Sequence, residues 1–150
     1  MEPPRYFAYG SNMNPRRVRQ RGLRVRAIER ASIPGLALCF DKSARDHAGR
    51  SHANLVATRG ARTEGVLYTL CGEEDILRMD GFERAPINYS REAVVVETPR
   101  GPRRAWTYFA NPAVRRGGLR PDLAYLEHLR SGRPFHTPEH RGVLARWPTA

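Results

Sequence analysis

The sequence predicts an α+β fold: a compact, mixed β-barrel-like domain with a few short helices, forming a single unit over residues 1–150. Three observations lead there. Segments of strand composition outnumber helical ones, and Gly and Pro breaks divide them at short intervals. Strands and helices also fail to alternate in the regular manner of a doubly wound sheet. A chain of 150 residues with a 40% hydrophobic fraction has the length and apolar content for one ordinary core.

The first element is a short strand over Tyr6–Tyr9, where aromatic residues suit a pleated, partly buried surface. Gly10-Ser11-Asn12 breaks it. Asn14 is positioned to cap a helix whose first residue is Pro15, a place where a missing N–H costs nothing, and the helix should end near Gly22. A strand, a glycine turn and a helix start thus fall within about ten residues, an arrangement that exposes turn amides to an anion or a polarised carbonyl. Residues 25–40 read as strand segments interrupted at Pro34-Gly35, and residues 42–50 as a loop. Two more strands follow, over 53–58 and 63–70, separated by a turn at Gly60. Glu73-Glu74-Asp75 opens a short helix, its acids facing the positive end of the helix dipole, which the chain leaves near Gly81. Tyr89–Glu97 is valine-rich and joins a strand over 104–109 through Pro99-Arg100-Gly101-Pro102, a hairpin pattern. A helix over Asp122–Leu129 places Leu123, Leu126 and Leu129 at core-compatible spacing, and the Pro- and His-containing tail from Ser131 reads as irregular.

Several familiar chemistries are absent from the pattern: no Gly-x-Ser-x-Gly elbow, no Gly-x-x-x-x-Gly-Lys loop and no His-Glu-x-x-His. His136 and His140 flank Glu139, but Pro138 argues against a helical metal face, and no metal or cofactor is expected. His47 and His52 could reach a pocket from their loop or simply face solvent. Cys39 and Cys71, each beside apolar residues, are expected as buried or semi-buried free thiols. Ser11 has no identifiable base and reads as a turn residue. Glu83 follows the Asp80-Gly81 break in the apolar company of Met79, Phe82, Ala85 and Ile87. Apolar surroundings raise a carboxyl pKa and make the group a better proton acceptor near neutrality. A surface glutamate paired with Arg78 or Arg84 is the alternative.

Lys+Arg 26 against Asp+Glu 15 gives a net charge of +11, and every basic residue except Lys42 is arginine. The arginines are spread along the chain with no finger spacing, aromatic RNA-binding signature or recognition-helix pair, so no dedicated nucleic-acid partner is expected. No run reaches the roughly 20 apolar residues of a membrane helix, and mean hydropathy is −0.62. No membrane partner and a cytoplasmic location are therefore expected. Oligomeric state is left open, since every apolar position has a use in the core.

The segments YFAYGSN (6–12), Phe40-Asp41-Lys42-Ser43, Ala53-Asn54-Leu55, Glu64-Gly65-Val66-Leu67-Tyr68, Met79-Asp80-Gly81-Phe82-Glu83 and Tyr89-Ser90-Arg91 together resemble the γ-glutamylcyclotransferase family, including its γ-glutamylamine-acting relatives. The resemblance covers roughly residues 5 to 110, with weaker agreement around 121–130. It implies a barrel-like fold with the YGSN loop and a glutamate lining one cavity. It also implies that Glu83 matches the catalytic glutamate, that Tyr9, Gly10, Ser11 and Asn12 hold a small-molecule γ-glutamyl substrate, and that Tyr89 matches a pocket tyrosine. The implied reaction is attack of the substrate's α-amine on its own γ-carbonyl, giving 5-oxoproline and a free amine, amino acid or peptide without a cofactor. Cyclotransfer or acyl transfer on a different amide, and an inactive small-molecule binding module, are the alternatives.

Overall fold

The computed structural model describes residues 2–44 and 49–150. In chain order it contains β1 (Arg5–Ala8), a 3₁₀ turn (Ser11–Met13), α1 (Pro15–Gln20), β2 (Val25–Ser43) and β3 (Ser51–Leu70). These are followed by α2 (Glu73–Glu83), β4 (Tyr89–Thr98), β5 (Gly101–Ala110), α3 (Leu123–Arg130) and α4 (Pro138–Arg146). The five strands close into a barrel in the order β1-β3-β2-β4-β5. Most contacts are antiparallel, and the parallel meeting of β1 with β5 at Tyr6 and Trp106 makes the sheet mixed.

Two long strands replace the four shorter segments read from the sequence. Pro34-Gly35 and Gly60 do not end strands. Pro34 pairs with Arg62 and Leu36 with Ala57, so that Thr58 to Ala61 lie opposite the single residue Gly35. The irregularity bends the hairpin without ending it, as bulges do in barrels. Gly35 and Gly60, with φ of 78° and 79°, supply the left-handed backbone this bend requires. β2 also runs into the expected loop, through Lys42 to Ser43. His47 lies outside the described residues.

The core fills the barrel and the space beneath its helices. Phe7, Val66, Leu67, Tyr68 and Leu70 are buried from the strands, Ile76 and Met79 from α2, Leu126 and Leu129 from α3, and Leu144 from α4. Leu123, expected in the core, is exposed. Gly65 sits where β3 passes β1: a Cβ there would press on the Ala8 carbonyl oxygen and lie 2.7 Å from two carbons of the Phe7 ring. Backbone cannot yield as a flexible side chain can. Gly65→Ala is therefore expected to destabilise the fold by roughly 2 kcal/mol through overpacking. An unchanged denaturant midpoint would contradict this reading of the contact.

The tail from Ser131 contains a helix where irregular structure was expected. Pro138 occupies the first turn of α4, where proline is tolerated, and the Thr137 hydroxyl accepts the His140 N–H at 3.3 Å. Thr137 in turn donates to Glu64 through its backbone N–H (2.8 Å) and hydroxyl (2.5 Å), fastening the helix start to β3. His136 and His140 pack edge to face with centroids 4.6 Å apart, and burial pushes the His136 pKa down to about 4. Among the described residues no group of three metal-ligating side chains converges. Both cysteines are free. Cys39 is partly buried, whereas Cys71 is exposed, contrary to expectation.

Candidate functional site

The N-terminal turn is built as its residues suggest. Asn14 caps α1 by accepting the Arg16 N–H at 3.1 Å, with Pro15 in the first helical position. Capping α1 directly after β1 leaves Gly10, Ser11 and Asn12 as a tight 3₁₀ corner at one end of the barrel. Gly10 has an ordinary φ of −109°, so left-handed backbone is not its role. Space is the constraint: a Cβ would come within 3.2 Å of both the Ala53 Cβ and the Tyr125 hydroxyl.

α2 continues through Asp80 and Gly81 and ends at Glu83 itself. The Arg84 N–H bonds the Asp80 and Gly81 carbonyls from a left-handed cap at φ 52°. Asp80 is anchored from outside the helix by the Tyr108 hydroxyl, which donates at 2.7 Å, and by Arg91 at 2.8 Å. Arg91 lies across the Trp106 ring and serves this structural contact. Glu83 consequently stands on the last turn of a fixed helix, not in a loop after a break.

Its surroundings match the apolar company expected only in part: Met79 is buried and Ala85 packs against the core. Phe82 and Ile87 are exposed, 47% and 70% respectively, and neither Arg78 nor Arg84 forms an ion pair with Glu83 among the described residues. Arg78 instead donates to the Gly22 carbonyl at 2.6 Å. Glu83 accepts from the Asn12 side-chain amide at 3.1 Å. The same amide nitrogen donates to the Tyr6 hydroxyl at 3.0 Å, while the Asn12 side-chain oxygen accepts from Arg21 at 3.0 Å. Tyr68 fixes the main chain here, its hydroxyl donating to the Asn12 carbonyl at 2.6 Å. Burial pushes the Glu83 carboxyl pKa upward despite the opposing cations Arg21, Arg17 and Lys42. Of the chain neighbours named from sequence, Met79 is buried against the Asn12 amide and Phe82 lines the same cavity as Glu83; Tyr6, Tyr9, Tyr89 and Tyr108 line it from distant segments.

Glu83, Tyr9, Gly10, Ser11, Asn12 and Tyr89 all line one cavity of about 340 Å³. Two of the tyrosines have their hydroxyls committed to the framework. Tyr9 donates to the Tyr108 carbonyl at 2.5 Å, and Tyr89 to the Ala53 carbonyl at 2.8 Å. Burial raises the pKa of both well above the ordinary tyrosine value, so they act as neutral walls. Tyr125, on α3, accepts the Ala53 N–H at 3.0 Å, so that the segment opposite Gly10 is held on both its N–H and its C=O.

Sequence reasoning missed Tyr125, Arg17, Arg21 and Lys42 as cavity residues. One signal was available: Lys42 is the single lysine in a chain that otherwise uses arginine. Of the two loop histidines, His52 reaches the cavity, stacked on Tyr125 at 4.6 Å. Burial, with help from the Lys42 charge, pushes its pKa down to about 4, so it is neutral near pH 7.

Comparisons with known proteins agree with this architecture. A family model described as "Gamma-glutamyl cyclotransferase, AIG2-like" matches residues 6–128. Among solved structures, a protein described as "Gamma-glutamyl cyclotransferase" superposes with a TM-score of 0.83 at 19% identity, over 99% of this chain and 90% of its own. An uncharacterised protein from Homo sapiens gives a TM-score of 0.84 at 20% identity, over 100% of this chain and 90% of its own. YkqA from Bacillus subtilis gives 0.80 at 22% identity, over 100% of this chain but only 57% of its own. No curated protein sequence matches significantly. At these identities the structural likenesses speak for the fold, while the family match spans most of the chain. The chain belongs to the AIG2-like γ-glutamyl cyclotransferase family. That membership brings cyclotransferase-type chemistry at the level of the family.

Proposed function

We propose that this protein is an enzyme converting a γ-glutamyl amino acid, peptide or amine into 5-oxoproline and the free amine. One observation carries the reading: a half-buried carboxylate, Glu83, is hydrogen-bonded to Asn12 of the glycine corner inside the cavity. The reaction needs little else. The α-amine must lose a proton to attack the γ-carbonyl, and the departing nitrogen must gain one. A carboxylate with a raised pKa suits both transfers. The nucleophile is already part of the substrate, so ring closure benefits from proximity, for which effective molarities reach about 10⁵ to 10⁸ M.

In this mechanism Glu83 takes the proton from the α-amine and returns it to the leaving nitrogen. Backbone amides of Gly10 and Ser11 orient the γ-carbonyl and stabilise the negative charge that develops on its oxygen. Tyr9 and Tyr89 shape the walls and do not donate to substrate, because their protons are spent on backbone carbonyls. The bond formed is between the α-nitrogen and the carbon of the γ-carbonyl; the bond broken is that carbon's bond to the leaving amide nitrogen. No water is consumed. The test is incubation with a panel of γ-glutamyl compounds followed by mass spectrometry. Release of 5-oxoproline is expected from at least one, and release of glutamate in its place would overturn the cyclisation step.

A further inference from the structure

The charges around the cavity are lopsided. Four cationic side chains line it, Arg17, Arg21, Lys42 and Arg84, against the one carboxylate of Glu83 among the described residues. Arg17 and Arg21 are four residues apart on and just beyond α1, and so share a face. Lys42 comes from the end of β2, and Arg84 from the cap of α2. Lys42 is 5% exposed, yet no described carboxylate lies within ion-pair distance of it. A buried ammonium without a counterion is costly, and an anionic ligand relieves the cost. Its lowered pKa, caused first by burial, is the same penalty seen in protonation.

The two cation groups differ in their relation to Glu83. Arg21 donates to the Asn12 side-chain oxygen at 3.0 Å, and the Asn12 nitrogen donates to Glu83 at 3.1 Å. Arg21 is therefore one side chain away from the proposed base. In a γ-glutamyl substrate the α-amine and α-carboxylate share one carbon, so an amine at Glu83 brings the α-carboxylate within the neighbourhood of Arg21. That leaves Lys42 and Arg84 for charge farther along the substrate. A leaving group bearing an ammonium would add another positive charge to this surplus, whereas one bearing a carboxylate would neutralise part of it.

We propose that the cavity selects γ-glutamyl compounds whose leaving group carries a carboxylate, an amino acid or short peptide and not an amine, with Lys42 and Arg84 receiving that carboxylate. The assignment rests on the cyclotransferase reading above for the position of the γ-glutamyl group. Binding can be tested without turnover, using glutaryl amides, which lack the α-amine and cannot cyclise. Affinities of glutaryl-L-alanine, glutaryl-propylamide and glutaryl-(3-aminopropyl)amide would be measured by calorimetry. The alanine compound is expected to bind at least about tenfold more tightly than the propylamide, with the cationic amide weakest. Lys42→Met should cut the alanine-to-propylamide ratio to within about threefold, and Lys42→Arg should restore it. Arg84→Asn should also lower the ratio; asparagine tolerates the left-handed backbone at this cap, so the variant keeps the test alive should Lys42→Met fail to fold.

Equal affinities for the three compounds, no measurable binding of any, or a ratio unmoved by the Lys42 and Arg84 substitutions would overturn the assignment. A parallel assay of 5-oxoproline release from γ-glutamyl-L-alanine and γ-glutamyl-propylamide separates the two readings. Carboxylate preference without release would keep the subsite and remove the cyclotransferase function. Equal release from both compounds with equal binding would keep the function and remove the subsite.

Discussion

Glu83→Gln is expected to lower turnover of a γ-glutamyl substrate about 10³-fold, or roughly 4 kcal/mol in barrier, while the melting temperature stays within a few degrees of the parent. Glutamine has the same shape and keeps an oxygen to accept from Asn12, so the hydrogen bond that positions the side chain survives. What is lost is the ability to take up a proton. Stability should hold because burial already opposes the charge on Glu83, as the direction of its pKa shows. The pH profile gives an independent readout. The base must be ionised to act, so activity should rise with pH through a titration lying above the ordinary glutamate value of about 4.3. A Glu83→Gln protein that folds and turns over within tenfold of the parent would remove Glu83 from the chemistry. An acidic limb below the ordinary value would contradict the part played by burial.

The second large effect is expected far from the cavity. Asp75 is buried, and its carboxylate accepts four hydrogen bonds: from the Arg24 N–H at 2.9 Å, Arg24 Nε at 3.2 Å, Arg24 Nη2 at 3.1 Å and the Gly72 N–H at 3.0 Å. It ties the chain entering β2 to the start of α2, the helix that carries Glu83. The guanidinium is half exposed and contributes little; the two backbone amides are the costly groups to leave unpaired. Asp75→Ala is therefore expected to lower stability at neutral pH by about 3 kcal/mol. Burial alone would raise the Asp75 pKa, but the combined Arg24 and Gly72 hydrogen bonds outweigh it and hold the group below its usual value. A depressed folded-state pKa stabilises above the unfolded value of about 3.9 and loses that contribution as pH falls through the folded value. The gap between parent and variant should accordingly narrow in acid. Denaturant titrations at neutral pH and below pH 4 would show this, and a gap constant with pH would exclude the ionised network as its origin.

Elements governed by local chemistry were legible in the sequence. The Asn14-Pro15 helix start, the acidic first turn of α2 and the β4–β5 hairpin need only a few neighbouring residues, and all three occur. Errors arose where distant partners decide. Pro34-Gly35 and Gly60 resemble strand ends, yet they face one another across a hairpin that absorbs both as one irregularity. Pro138 looks like a breaker until Thr137 is seen to cap the helix and reach Glu64, 73 residues away. The same division applies to the cavity. The glycine corner and Glu83 stood out through their motifs, whereas Arg17, Arg21 and Tyr125 enter it only because barrel closure brings α1 and α3 to the same end. Glu83's surroundings were legible in part: Met79 and Phe82 are near it as the sequence suggests, whereas the tyrosines around the cavity come from distant segments.

The Asn12 amide has a further consequence. A guanidinium offers only donors, so Arg21 can meet nothing but the oxygen of that amide, and the orientation of the whole group follows. Its nitrogen is thereby turned toward Glu83 Oε1, which must remain an acceptor whether the carboxyl is charged or neutral. In the proposed reaction, a proton taken up by Glu83 would be directed to the other oxygen, Oε2. The two oxygens of a chemically symmetric carboxylate are thus made inequivalent, one an anchor and the other left for the proton that the proposed mechanism moves, by an arginine that hydrogen-bonds to neither.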